Sequence, residues 1–398
     1  MYLLAPSPGA VFQTRQGVFT ADANALIYNV SPGQGMLDLI ESGCIVQETN
    51  QLANFRNLLD GGDFTTNPFQ RGTTITSIAN TPTYLADRFF AVGGASSSIS
   101  MSSVAVTQIM GFASALQFGR AAANTNTSPI FLGQVIETAD AIRCQGQYVT
   151  FSFWAAAGAN FSAAAGLSVA LHYSTGTNQS ANALIGSAAG SWTGQAYPAL
   201  VPTSSIATAG TAGAYGTGTP ANQPISTAWV RYAFTAFVPA TAAQLAVVIG
   251  YTPVGTAGAA DYVQFMGLQL EIGQAVSPFE HRDVQVELEI AQRYCWVINE
   301  PAAGVIVGTG GSVAAANAQV FYMATPVQLR TAPTVTVVAG TFKVAAGAAA
   351  AAATGIAPGA THTPNAISIT TTLTQAAGGS ASLQGGGGSG TITASADF

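Results

Sequence analysis

The chain has 398 residues, room for two or three domains at about 100–200 residues each, but only 7% of them are charged, with 11 Lys and Arg against 17 Asp and Glu and a net charge of −6. Ordinary globular proteins carry about 25% charged residues; a basic patch able to displace counterions from phosphates cannot be built here, which excludes nucleic acid as a partner. Three His, three Cys and scattered carboxylates leave few ways to bring an acid, a base and a nucleophile together, so the chain is read as a non-enzyme.

The mean hydropathy of +0.35 owes much to alanine. The apolar stretch from Phe151 to Leu171 is interrupted by Gly158, Asn160, Ser162 and Gly166, short of the about 20 unbroken apolar residues of a membrane helix, and no membrane insertion is expected. The opening MYLLAPSPGAV has no basic segment before its few apolar residues, so no secretory signal is expected. Residues 1–50 form a first unit. A polar alternation from Gly17 to Asn24, followed by Ala25 to Val30, predicts a hairpin turning around Asp22 and Asn24. Ser31-Pro32 then opens a predicted short helix, Gly33 to Ser42, with Met36, Leu37 and Ile40 on one face and Gly43 as its stop. So little apolar mass is marginal as a free domain, and the unit is expected to fold against something else.

Residues 55–282 form the second unit. Tyr148–Trp154, Leu167–Tyr173, Trp229–Phe237, Leu245–Tyr251 and Tyr262–Glu271 alternate apolar and polar residues as strands do. Many strands without helices between them predict a β-sandwich. Within it, 175–227 is an insertion of Ser, Thr, Gly and Ala that carries Trp192, Tyr197 and Tyr215, a length expected to be functional or braced by neighbours. From Cys144 to Val230 there is no Asp, Glu, Lys or Arg. A freely diffusing monomer keeps charges on its surface for solubility, so neighbouring copies are expected to cover part of this one.

A linker helix is predicted over 283–296, with Val284, Leu288, Ala291 and Cys295 on one face and Glu289 paired to Arg293 one turn on. Eight of the chain's 28 Asp, Glu, Lys and Arg residues lie between Glu271 and Glu300. Residues 297–398 form a β-rich third unit whose strands include Pro333–Val338, Ala366–Thr370 and Gly390–Ala394. From Val305 onward its only ions are Arg330, Lys343 and Asp397. The alanine run Ala345–Ala353 and the glycine run Gly385–Gly390 read as loops, the latter as flexible backbone without the strand, helix and lysine of a phosphate loop. Cys44, Cys144 and Cys295 form no CxxC pair and are read as small buried hydrophobes.

Three anchors carry a resemblance: Asn57-Leu-Leu-Asp-Gly-Gly-Asp-Phe64, Ala86-Asp-Arg-Phe-Phe90, and Leu268-Gln-Leu-Glu-Ile-Gly-Gln-Ala-Val-Ser-Pro-Phe-Glu-His-Arg282. Together they resemble the start, an early strand and the closing strand of a jelly-roll module of tailed-bacteriophage virion proteins, similar in fold to carbohydrate-binding modules. Glu287 to Cys295 matches the helix that trails this module, and Arg330-Thr-Ala-Pro-Thr-Val-Thr336 resembles the C-terminal β-domain of phage fibre proteins. Asp60-Gly61 stands where Asn-Gly is more usual, Cys295 where tyrosine is common, and the insertion has no counterpart. The fold expected is mainly β: a small N-terminal α+β anchor, a central jelly-roll sandwich, a linker helix and a C-terminal β-domain.

The resemblance implies a virion component on the outer surface of the particle, a homotrimer whose N-terminal unit docks on the major capsid protein or another virion protein. Phe19, Asp22, Leu37 and Ile40 are the candidate anchoring residues. Host-surface glycans are a further candidate partner, and Trp192, Tyr197 and Tyr215 the candidate glycan-binding residues, because an aromatic face covers the apolar side of a pyranose; subunit packing is the competing reading. Trp229, at a strand start, reads as core. Asp60, Asp63 and Glu271 have two readings. They could hold a structural Ca²⁺ where the first and last strands meet, or Asp60 and Asp63 shape a turn while Glu271 pairs with Arg282 or Arg88. Glu280-His281-Arg282 reads as an ion-pair knot closing the sandwich. His172 and His362 stand alone, with no zinc spacing.

Overall fold

A computed structural model describes residues 2–4, 10–14, 17–21, 26–27, 45–47, 56–94, 99–163, 165–185, 191–196, 201–202, 221–312, 318–338, 340–346, 349–352, 354–372 and 380–398. The described chain is mainly β. Its centre is two antiparallel sheets face to face. The seven-stranded sheet runs, edge to edge, Val201–Pro202, Val230–Phe237, Tyr148–Ala157, Tyr262–Ile272, Ser114–Arg120, Ile99–Ala105 and Thr74–Ile78. The six-stranded sheet runs Ala221–Gln223, Leu167–Ser174, Gln244–Tyr251, Ile130–Ile136, Phe90–Val92 and Thr83–Tyr84.

Alternation explains the interior. Val149, Phe151, Phe153 and Ala155 point inward from one strand and meet Tyr232, Phe234 and Ala236 of its neighbour. The Phe153 ring lies 5.2 Å from Phe151, 5.9 Å from Tyr232 and 6.0 Å from Phe265, tilted and edge-on contacts that aromatic quadrupoles favour. In Tyr262–Ile272 the inward set changes from Val263 and Phe265 to Leu268 and Leu270. The pairing register with Tyr148–Ala157 shifts at the same place, beside Gly267 with its φ of +61°. One extra residue in a bulge reverses which parity faces the core, and glycine accepts the left-handed backbone there.

Strand Gln244–Tyr251 is buried along its whole length, although its sequence alternates like a half-exposed strand. Leu245, Val247 and Ile249 enter the sandwich interior. Ala246 and Val248 face outward, under a second apolar cluster with Phe90, Val92, Val135, Leu184 and Trp192. The described part of the 175–227 insertion supplies that cover through a one-turn helix, Ala181–Leu184, whose N-cap Ser180 accepts from the Ala183 N–H.

The C-terminal residues build two further sheets. Ala349–Ala352, Lys343–Ala346, Ser380–Gln384, Ile306–Ser312, Ala318–Ala324, Ala366–Thr372 and Thr354–Pro358 form one; Cys295–Asn299, Thr391–Ser395 and Thr334–Val338 form the other. Phe321, Phe342, Val344, Ile367, Ile369, Leu383 and Ile392 are buried in their shared core. The alanine run is therefore strand on both sides of 347–348, in register from Lys343↔Ala352 to Ala346↔Ala349. A ladder of backbone hydrogen bonds sets its conformation where side-chain pattern gave no signal.

The N-terminal hairpin pairs Val11–Thr14 with Gly17–Thr20, so the predicted partner of Gly17–Thr20, the segment after Asn24, is replaced by the strand before it. Opposed Phe12 and Phe19 fix that register. Leu26–Ile27 instead pairs with Tyr2–Leu4. The helix predicted over 33–42, with Leu37 and Ile40, lies outside the described residues, as do Asp22 and Cys44. The linker helix is shorter than predicted, Val284–Gln292, capped by Asp283 accepting from the Gln285 N–H, and Cys295 already begins a strand. Its buried positions are Glu287 and Ala291, whereas Val284 is 57% exposed. Ala291 and Cys295 of the predicted apolar face are buried, but in the first turn a carboxylate takes the inward place of Val284 because the neighbouring backbone N–H of Gly61 needs an acceptor there.

Candidate functional site

That carboxylate belongs to a charged joint where sandwich, linker helix and C-terminal sheets meet. Gly61, in the loop that opens the sandwich, has a φ of +64° and gives its N–H to Glu287 Oε2 at 2.8 Å. The Arg282 guanidinium lies 3.5 Å from Glu287, 3.7 Å from Asp60 and 3.7 Å from Glu280, and Glu280 accepts from the Asn57 N–H at 2.7 Å. Arg88 is held by Asp60 at 3.0 Å and by the Val135 carbonyl at 2.7 Å. Its guanidinium sits 3.4 Å from the Tyr294 ring centroid, a cation–π contact in a dry setting. Arg293 donates to both Glu137 oxygens at 3.1 Å, which replaces its predicted pairing with Glu289.

The end of the chain completes the joint. Arg71 pairs with Asp397 and donates to Cys295 Sγ at 3.1 Å. Arg330 donates to the Ala396 and Asp397 carbonyls at 2.9 and 2.8 Å and stacks on the Phe398 ring at 4.0 Å. Tyr84 donates to the Phe398 carbonyl at 3.2 Å. Burial pushes the Glu287 carboxyl up to about 7 against the pull of Arg282. Burial likewise raises Asp87 to about 6, opposed by the Gln70 N–H and Arg71. Burial also pushes the Cys144 and Cys295 thiols up to about 12, so both stay protonated at neutral pH. Beside the joint, a cleft of about 380 Å³ is lined by Glu137, Asp140, Arg143, Glu289, Arg293 and Tyr294, among others.

The metal candidates do not converge. Asp60 serves Arg88 and Arg282. Asp63 accepts from the Thr65 N–H at 3.0 Å, as a turn-forming Asp does, and lies 2.7 Å from His281 Nδ1. Glu271 is buried and accepts from Ser277 N at 2.9 Å and Gln269 at 3.0 Å, with Arg56 at 3.9 Å, not from Arg282 or Arg88. Among the described residues no group of three or more His, Cys, Asp or Glu is arranged for a metal ion.

The aromatic candidates also part. Trp192 is 3% exposed, packed on the six-stranded sheet with its Nε1 donating to the Ser180 carbonyl at 2.9 Å. It is a core residue and offers no face to a sugar. Tyr197 and Tyr215 lie outside the described residues. Trp229 packs against the sandwich core. Of the anchoring candidates, Phe19 is half-buried opposite Phe12. His172 is buried, and burial lowers it to about 3.

The glycine run also has a different role from the one its composition suggests. Glu300 accepts from the Gly386 and Gly390 N–H groups at 2.8 and 2.9 Å, and from the Thr341 hydroxyl and N–H at 2.7 and 2.9 Å. Burial pulls this carboxyl upward, but the hydrogen bonds outweigh it and hold it at about 2. A Cβ on Gly386 would collide with the Thr341 carbonyl, and one on Gly385 with that of Pro301. Close approach of backbone, not flexibility, requires these glycines.

No protein-family model and no curated protein sequence matches the chain. Among solved structures it is similar to the enzymatically active domain of tailspike protein 4 of bacteriophage CBA120, with 10% identity over 55% of this chain and a TM-score of 0.30. The match spans 22% of that tailspike domain's length. A sugar-binding protein from Bacteroides thetaiotaomicron VPI-5482 is similar over 55% of this chain and 100% of its own, with 14% identity and a TM-score of 0.30. The N-terminal CBM22-1–CBM22-2 tandem of Paenibacillus barcinonensis Xyn10C is similar over 81% of this chain and 90% of its own, at 11% identity and a TM-score of 0.28. Scores this low transfer neither ligand nor activity.

Proposed function

We propose that the chain is a non-enzymatic structural protein on the outer surface of a tailed-phage virion, a capsid-anchored decoration or head-fibre protein that projects from the particle as a homotrimer and stabilises it. The observation that carries this reading is where the charges are. Arginines and carboxylates from the sandwich, the linker helix and the C-terminal sheets are spent on one internal joint, which braces two β-modules against each other. The stretch from Cys144 to Val230, by contrast, holds none. A braced, ion-poor body suits a protein packed in many copies, whose neighbours cover its uncharged faces. The N-terminal unit, with its own small sheets, is the part that would dock on the major capsid protein or another virion protein.

A second reading, a tail fibre or receptor-binding protein that attaches to host glycans, is favoured by one observation: Tyr148 and Phe237 form an exposed aromatic pair on the sandwich. The two readings separate in one experiment. Purified full-length chain and a form lacking residues 1–50 are mixed with particles devoid of the protein. The full chain is expected to decorate capsids as a trimer, and the shortened form to stay trimeric but unbound. Decoration by the shortened form would refute N-terminal anchoring, and binding confined to tails would favour the second reading.

A further inference from the structure

We propose that the outer face of the seven-stranded sheet carries a binding platform for a neutral pyranoside, built on Tyr148 and Phe237; this rests on the surface-glycan reading above and gives it a site. The two residues oppose each other directly across the ladder between Tyr148–Ala157 and Val230–Phe237. Their rings are 5.2 Å apart at 66°. Their neighbours Val149 and Ala236 are buried in the core, so the alternation turns Tyr148 and Phe237 outward, 44% and 48% exposed. Among the described residues Tyr322 is the only other aromatic exposed to this degree, and no other pair of exposed aromatic rings is in contact.

The surroundings favour a sugar. On the side away from Phe237, Tyr148 faces Gly273, which donates its N–H to the Tyr148 carbonyl at 2.7 Å. A Cβ at Gly273 would meet nothing within 4 Å, so the space over Gly273 is open. Thr150 and Thr235, next along the same face, are 3.2 Å apart and spend their hydroxyls on the Gly273 and Gln274 carbonyls, which pins the floor beside the rings. Gln274 is exposed at its rim and carries an amide that can both donate and accept. The two charges on this face are both engaged away from the rings: Arg231, at the far end of Phe237's strand, donates to Ser152 and to the Ser277 carbonyl, and Glu271, opposite Thr150, is 1% exposed and accepts from Ser277 and Gln269. Apolar ring faces beside an amide, with the nearby charges already paired, match the CH-rich face and hydroxyls of a neutral hexose. An acidic sugar would call for an arginine fork.

The test uses the full chain on immobilised maltohexaose, cellohexaose, chitohexaose and mannohexaose, with polygalacturonate as the acidic control, and compares it with Tyr148→Ala, Phe237→Ala and Tyr148→Trp. Thermal melting, mass in solution and particle binding are measured on the same samples. The expected result is retention on at least one neutral glycan, a tenfold or greater loss in each alanine variant at unchanged melting and mass, and retention restored by tryptophan. No neutral-glycan binding by the wild type, equal binding by the variants, or a change of oligomeric mass in the variants without glycan binding would each overturn it, the last by making the pair a contact between copies. Particle binding without glycan binding overturns this inference alone; glycan binding without particle binding overturns the virion reading alone.

Discussion

Replacing Glu287 by Gln tests the joint in a way that intuition about salt bridges gets wrong. Glu287 is 4% exposed, accepts from the Gly61 N–H and faces Arg282, so it looks like a stabilising ion. Its carboxyl is nevertheless raised from 4.5 to about 7, burial being the larger cause. For a group whose folded-state value is raised, the stability it contributes is complete below the unfolded value and is lost as pH rises through the folded one. The window here runs from about pH 4.5 to about 7. At 1.36 kcal/mol per unit the shift corresponds to about 3 kcal/mol. Glutamine keeps an oxygen for the Gly61 N–H and cannot ionise. Glu287→Gln should therefore match the wild type at pH 5 and exceed it at pH 8 by on the order of 2–3 kcal/mol, read by urea unfolding at both values. The Glu287 contribution to the wild type should itself be larger at pH 5 than at pH 8, with Asp87, raised to about 6, adding in the same direction and His172, lowered to about 3 by burial, opposing it. A variant weaker than the wild type at pH 8 and equal at pH 5 would show that the ionised pair with Arg282 outweighs its burial.

Trp192→Ala should cost about 3–5 kcal/mol, the range for emptying a buried aromatic site, seen as a lower melting temperature; unchanged melting would return Trp192 to the surface. Phe153→Ala, at the centre of the aromatic core, should cost a similar amount, and calorimetry will show whether it does. Gly386→Ala should lower the stability of the C-terminal module through its collision with the Thr341 carbonyl, whereas Gly387→Ala, with no atom closer than 3.6 Å to its Cβ, should be hurt only by its positive φ. Equal effects of the two in a melting assay would contradict the cradle around Glu300.

Strands that face the interior on one side were legible because alternation is a local signal. Tyr148–Trp154 and Tyr262–Glu271 lie within the strands Tyr148–Ala157 and Tyr262–Ile272. What escaped depends on partners far away. The outer side of Gln244–Tyr251 is buried by Trp192, a loop aromatic until the fold brings it back. The joint pairs Arg71 with Asp397 across 326 positions, a separation no pattern in either neighbourhood announces. Arg120, fully buried with Asp261 and ringed by loop carbonyls, ties one end of the sandwich equally silently. The knot at Glu280-His281-Arg282 was readable as charges near a strand end, but its contacts divide between helix, opening loop and Asp63. The candidate platform was hidden for a simpler reason: Tyr148 begins one strand and Phe237 ends another, and only antiparallel pairing sets them side by side.

A capsid decoration protein sits on the head of the particle, away from the tail. Negative-stain imaging of intact particles, labelled with a gold-conjugated antibody against this chain, tests that placement most directly. The account predicts gold distributed over the capsid surface. Label confined to the tail would replace it with the receptor-binding reading, and particles without label would contradict a virion role altogether.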